Sequence, residues 1–248
     1  MNMIKLLSPD FALGKVLVAG RSILEIGALL AARPSVESLH LARLIMQVKP
    51  AHTMVRNLSL INLYRMVRYI NRSALPGVIV ECGVWNGGSS AMMAAACRDT
   101  HVQRHFWLFD SFEGLPPPTE KDNSIERTHY FEGWNKGSIA NVERIFRKLG
   151  LPLDQVHFVK GWFDQTLPTS TVNQIALLHI DADWYDSVSL VLNMFYDRVT
   201  PGGYVVLDDY GYWEGCDRAT HDFLDGRGIS RSALHRVGGM GVYFQKPA

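Results

Sequence analysis

This chain has little of what marks the special classes of protein. Cys82, Cys97 and Cys216 are the only cysteines in 248 residues, too few and too scattered for a disulfide framework, and no CxxC pair suggests zinc. They read as free thiols of a reducing cytoplasm. An excess of one charge is also missing. The 25 Lys and Arg residues against 24 Asp and Glu leave a formal charge of +1. Without a basic stripe to displace counterions from phosphates, nucleic acid is not an expected partner. There is no repeat and no low-complexity tract, and with 47% hydrophobic and 20% charged residues a disordered chain is excluded. A clean membrane span is absent too. Residues 11–32 come nearest, but Lys15, Arg21 and Glu25 interrupt them and share one sector of a helical wheel, so an amphipathic helix is expected. Such a helix needs an apolar partner: packing between subunits is the expected role, attachment to a membrane surface the alternative.

What is present is helical periodicity followed by βα alternation. Residues 36–48 and 54–71 continue the helical pattern, with Pro34 and Pro50 as punctuation. The first 75 residues thus form a helical arm or cap, and residues 76–248 the main domain. After Pro76-Gly77 come short β-rich runs at 78–80, 106–109, 157–159, 175–180, 204–207 and 241–245. Helical segments at 89–96, 139–149 and 187–195 separate several of them. Apolar strands alternating with helices predict a doubly wound, mostly parallel α/β sheet covered on both faces.

Ligands of such sheets bind beyond the carboxyl ends of the strands. Here those positions are polar: Glu81 with Gly83, Asp110, Gly161 to Asp164, Asp181 with Asp183, and Asp208 with Asp209. One carboxylate at a strand end is commonly a cap or a turn; carboxylates after four strands are not explained that way. The run Glu81-Cys82-Gly83-Val84-Trp85-Asn86-Gly87-Gly88-Ser89-Ser90 opens a helix after the first strand. Its glycines allow close backbone approach, and the free N–H groups of the helix start favour an anionic group. The spacing is not GxGxxG, which weakens a dinucleotide reading. Asp110, one βαβ unit later, is placed to accept hydrogen bonds from a ribose diol. A nucleoside with an anionic tail fits both ends.

These motifs, with Phe109-Asp110-Ser111-Phe112-Glu113-Gly114-Leu115-Pro116, Gly161-Trp162-Phe163-Asp164, His179-Ile180-Asp181-Ala182-Asp183-Trp184-Tyr185, Pro201-Gly202-Gly203 and Asp208-Asp209-Tyr210-Gly211, resemble the macrocin O-methyltransferase family of sugar-tailoring enzymes. The resemblance implies a Rossmann-like class I methyltransferase fold and S-adenosylmethionine as cofactor. It places Glu81, Gly83 and Ser89 near the methionine part and Asp110 at the ribose. The loop from Gly161 through Trp162 to Asp164 would flank the adenine. Val84, Trp85, Ser111 and Asp181 complete the cofactor set.

Carboxylates converging at neighbouring strand ends repel one another unless a cation neutralises them, and oxygen-only ligands select a hard ion, Mg²⁺ before zinc. The family pattern assigns Asp181, Asp208 and Asp209 to that metal. An alkyl hydroxyl is almost wholly protonated at pH 7, so methyl transfer to it needs a base. Asp183 is the expected base, beside Asp181 without being needed as a fourth ligand. His179, inside an apolar strand, reads as a core residue. Catechol-type methyltransferases use a lysine near the position of Asp183-Trp184-Tyr185, so a sugar hydroxyl of a glycosylated natural product or saccharide is the expected acceptor. The alternatives are a catechol- or phenol-type methyltransferase, a nicotinamide reductase, and a non-catalytic nucleotide- or sugar-binding protein. Residues 115–137, with Pro116-Pro117-Pro118, Glu120, Lys121, Asp122, His129, Tyr130 and Trp134, are expected to form a lid. The apolar arm predicts a homo-oligomer around a two-fold axis and, by the resemblance, a wall of the acceptor pocket.

Overall fold

The computed structural model describes residues 12–123 and 130–247. Three helices come first: α1 (Ala12–Ala32), α2 (Val36–Val48) and α3 (Asn57–Arg72). Ser35 caps α2, its hydroxyl accepting the Ser38 N–H at 3.0 Å. Leu60, Leu63, Tyr64, Val67 and Ile70 form one buried stripe on α3. That stripe packs on α4 (Gly88–Thr100), whose small residues and methionines are buried on all sides over most of its length. One apolar cluster therefore joins α2 and α3 to the sheet. On α1 the pattern is different. Ser22 Oγ donates to Asn57 Oδ1 at 2.9 Å, and Asn57 Nδ2 donates to the Ser22 carbonyl at 3.0 Å. Leu13, Val16, Leu17, Ile23 and Leu24 nevertheless face outward. Among the described residues no helix is long and apolar enough to cross a membrane.

Seven strands follow: β1 (Val78–Cys82), β2 (Phe106–Asp110), β3 (Val156–Lys160), β4 (Ile175–Ile180), β5 (Val199–Leu207), β6 (His235–Arg236) and β7 (Val242–Gln245), in the order β3-β2-β1-β4-β5-β7-β6. The first five pair in parallel and β7 joins β5 antiparallel. Helix α5 (Ile139–Lys148) lies with α4 on one face; α7 (Tyr185–Phe195) and α8 (Glu214–Gly226) pack together on the other, and the short α6 (Phe163–Thr166) follows β3. Strand order reverses between β1 and β4, the switch point where such sheets open a crevice. Register fixes what emerges there. Cys82 is level with Phe109 and Ile180, and Ile180 with Leu207, so Gly83, Asp110, Asp181 and Asp208 leave the sheet side by side.

Two details differ from the expected elements. Pro201-Gly202-Gly203 does not precede the fifth strand but lies inside it: Gly202 has φ of +80°, the register slips between Ile175 and Leu177, and a bulge carries the strand back to Val199. Helix α8 and the two-residue β6 are additional to the expected set. The three cysteines are buried and free, as expected.

Candidate active site

A cavity of about 900 Å³ opens at the carboxyl ends of the parallel strands. Gly83, Val84, Trp85 and Ser89 line it from the first crossover, Asp110 and Ser111 from β2, and Gly161, Trp162 and Asp164 from β3. Asp181 and Asp183 enter from β4, Asp208 and Asp209 from β5. Of the site residues expected from the sequence, Glu81 alone stays outside. Gly83, at φ of +90°, sits where a Cβ would collide with the Asp181 carbonyl oxygen, so only glycine lets β1 and β4 approach at this level.

The Asp110 carboxylate organises the adjoining turns. Its Oδ2 accepts the Val84 and Trp85 N–H groups at 2.7 and 2.8 Å, and its Oδ1 accepts the Phe112 N–H at 2.6 Å. Burial pushes its pKa up while these three donors oppose the shift. Beside it the indole Nε1 of Trp85 is buried with no hydrogen-bond partner among the described residues. An orphaned donor costs about 1–3 kcal/mol, and a ligand acceptor in the cavity would relieve it. Glu81, expected near the methionine part, is fully buried, with His179 Nδ1 2.8 Å from its Oε1 and the Ser90 hydroxyl on its Oε2. Its side chain ties β1, β4 and α4 together beneath the cavity floor.

Asp181, Asp183 and Asp209 each bring an oxygen within 4.8 Å of the others. Asp183 takes a left-handed conformation, φ +56°, which turns its N–H onto Asp209 Oδ2 at 2.9 Å. That conformation is strained for any residue but glycine. It also brings the Asp183 carboxylate into the group, where the sequence reading set it beside a trio of Asp181, Asp208 and Asp209. Asp208 emerges level with Asp181 but has the Ser59 hydroxyl, Lys49 and Arg56 as neighbours on the arm side. Burial first, then the surrounding carboxylates, push the pKa values of Asp181 and Asp209 well up. Asp208 is raised by burial and relieved by its cationic neighbours.

Sequence reasoning missed the wall around Asp183. Trp213 Nε1 donates to Asp183 Oδ1 at 2.6 Å. The ring lies 5.2 Å from Trp184 and 6.0 Å from Trp134, which makes an aromatic corner over the acids. Trp213 stands four residues past Asp209, just beyond the motif that attracted notice. Two arm segments also reach the cavity: Val18 and Arg21 of α1, and residues 52–56 between α2 and α3.

Part of the expected lid segment is docked. Asp122 is buried; its Oδ1 accepts the Tyr185 N–H that opens α7 at 2.9 Å, and its Oδ2 accepts the Thr119 N–H at 2.8 Å. Gly215 leaves it room, since a Cβ there would strike Oδ1. Lys121 pairs with Asp186 at 2.7 Å, and Trp184 Nε1 donates to the Pro116 carbonyl at 2.8 Å. His129 lies outside the described residues.

Comparison with known proteins places the chain in a family. The family profile of macrocin-O-methyltransferase (TylF) matches residues 40–246. Mycinamicin III 3''-O-methyltransferase of Micromonospora griseorubida is 35% identical over 204 residues, 80% of each chain. A 4'-O-methyltransferase of Streptomyces olivaceus, acting on 8-demethyl-8-(2,3-dimethoxy-alpha-L-rhamnosyl)-tetracenomycin C, is 37% identical over 202 residues, 80% of this chain and 77% of that one. Among solved structures, the O-methyltransferase NovP superposes with a TM-score of 0.74 at 34% identity, over 80% of this chain and 84% of its own. The fold is that of the Rossmann-like class I methyltransferases, and the chain belongs to the macrocin O-methyltransferase family of S-adenosylmethionine-dependent O-methyltransferases.

Proposed function

We propose that this protein methylates a sugar hydroxyl of a glycosylated small molecule or saccharide, with Mg²⁺ held at the aspartates. The observation that carries the reading is the juxtaposition, in one cavity, of a nucleoside-shaped turn around Asp110, four aspartates at neighbouring strand ends, and an aromatic corner above them. The named acceptors of the relatives, a mycinamicin and a rhamnosyl tetracenomycin, are of the same class.

The residues fit both groups. Trp85 Nε1 and the Gly83 cradle suit a close-lying ligand, and the all-oxygen cluster, whose charges oppose one another, suits a hard divalent cation. Asp181, Asp208 and Asp209 would hold the metal, and Ser111 with Trp162 and Asp164 would close the nucleoside end. When bound, the cofactor supplies an electrophilic methyl group and the metal a positive charge that acidifies and orients a hydroxyl. Asp183 removes the proton, its carboxylate held in place by the Trp213 indole on Oδ1. The aromatic rings offer an apolar face to a sugar and exclude water.

The test is direct. Protein with S-adenosylmethionine and Mg²⁺ is offered deoxysugar glycosides and a catechol, and products are read by mass spectrometry. Methylated glycoside is expected; methylated catechol with untouched glycosides would overturn the reading.

Residues 115–137 form the lid of this reading, and Asp122 is its latch. Asp122→Ala is expected to raise acceptor KM by about tenfold, the worth of a charge-assisted hydrogen bond, and to speed proteolysis within the loop while leaving S-adenosylhomocysteine affinity unchanged. Equal cleavage rates in both proteins would remove the latch. The outward-facing apolar residues of α1 are the seat of a homo-oligomer. Deleting residues 1–32 should lower the mass measured by light scattering, and a full-length monomer at micromolar concentration would refute it.

A further inference from the structure

The arm brings three cations to one side of the cavity. Arg21 of α1 and Arg56 at the start of α3 line it, and Lys49 at the end of α2 stands behind them. Arg21 uses its Nε on Glu25 at 2.8 Å. Neither the Arg56 nor the Lys49 side chain has a hydrogen bond or ion pair among the described residues. The Arg56 guanidinium runs along the 239–240 loop, 3.4 Å from where a Cβ of Gly239 would sit. The three crowd one another: Arg21 disfavours the charge on Arg56, and both disfavour that on Lys49, which burial brings down to about 8. Glu25 and Asp208 are the acids acting on Lys49 and Arg56, and Glu25 also pairs with Arg21, so two acids face three cations and the cluster keeps an unbalanced positive charge. If Asp208 is committed to a metal ion, Glu25 alone remains.

Like charges crowded together with too few acids to balance them destabilise a protein unless a ligand completes them. Two planar guanidinium forks at a cavity wall match the oxygens of a carboxylate or phosphate. We propose that Arg21 and Arg56 form an anion subsite for the acceptor, so that the saccharide methylated here carries an acidic group, a phosphate ester or a carboxylate, apart from its reacting hydroxyl. This rests on the reading of the cavity as a saccharide site.

The protein, saturated with S-adenosylhomocysteine, is titrated calorimetrically with glucose 1-phosphate, with glucuronate and with methyl glucoside. At least one anionic probe should bind tenfold or more tightly than the neutral one, and which of them does so separates a phosphate from a carboxylate. Arg21→Gln and Arg56→Gln should each weaken that probe by about 10-fold or more, with Arg56→Lys recovering part of the loss. Unchanged S-adenosylhomocysteine affinity shows that the variants are folded. Equal affinity for all three probes, or indifference to both arginine substitutions, overturns the subsite. Methyl transfer to neutral glycosides with kcat/KM untouched by Arg→Gln also overturns it and leaves the sugar reading standing. Arginine-dependent anion binding in a protein that methylates no saccharide supports the subsite and removes the sugar reading.

Discussion

Asp183→Asn is expected to lower turnover by about 10²- to 10⁴-fold, the range of a positioned general base, while S-adenosylhomocysteine binds as before. Asp183 is held in a left-handed turn, its N–H on Asp209 and its Oδ1 on the Trp213 indole at 2.6 Å. Such a conformation costs about 1–3 kcal/mol and persists only where the surroundings impose it. The amide of asparagine keeps the shape and loses the basicity. Trp213→Phe keeps the carboxylate and removes the donor that orients it, so a smaller loss in kcat with little change in acceptor KM is expected. The same experiment decides between base and ligand, because Asp183 also lies within the compact acidic group. Should added Mg²⁺ restore full turnover to Asp183→Asn, Asp183 holds the metal and the base lies elsewhere; should Asp208→Asn weaken Mg²⁺ binding while Asp183→Asn does not, the assignment stands.

The elements that were legible in the sequence are those whose local pattern and tertiary fate coincide. The run at 175–180 is a strand with the expected limits because every residue in it is buried apolar or held inside the sheet, and 36–48 is a helix because Pro34 and Ser35 start it and its stripe finds a core. The strand ends were legible for the same reason, since parallel sheets carry their ligands there. The partners of Glu81 were not legible, because sequence gives a position along a strand but not the residue across it. His179, level with Glu81 in the β1–β4 register, claims one carboxylate oxygen and Ser90 the other. The grouping of the aspartates depended on a left-handed backbone conformation at Asp183, which aspartate tolerates better than most residues but which a sequence position alone does not announce. Helix α8 was readable and unread: Cys216, Ala219, Thr220, Phe223 and Leu224 recur at helical spacing on its buried side. Of the arm's cations, Arg21 lies on α1 while Lys49 and Arg56 flank the connection from α2 to α3, and only folding brings Arg21 to their wall.

Removal of divalent metal should abolish methyl transfer and leave a protein whose stability falls as pH rises. Burial and mutual repulsion hold the pKa values of Asp181 and Asp209 well above the ordinary carboxylate value, which in the unfolded chain is about 3.9. The metal-free native state therefore binds more protons than the unfolded state. The stability these groups contribute is complete below the unfolded value and is lost as pH climbs through the raised native ones. Mg²⁺ reverses the sign by favouring the ionised carboxylates, at a free-energy gain of about 2.7 kcal/mol when its concentration is 100 times the Kd. Thermal denaturation should thus show a Tm increment from Mg²⁺ that is larger at about pH 8 than at about pH 5. Asp209→Asn removes one of the opposed charges, so the metal-free variant should melt above metal-free wild type at the higher pH and show no increment with Mg²⁺. Turnover of wild type that survives exhaustive EDTA treatment, or a Tm increment that is the same at both pH values, would separate the acidic cluster from metal binding and leave it as a purely structural feature of the strand ends.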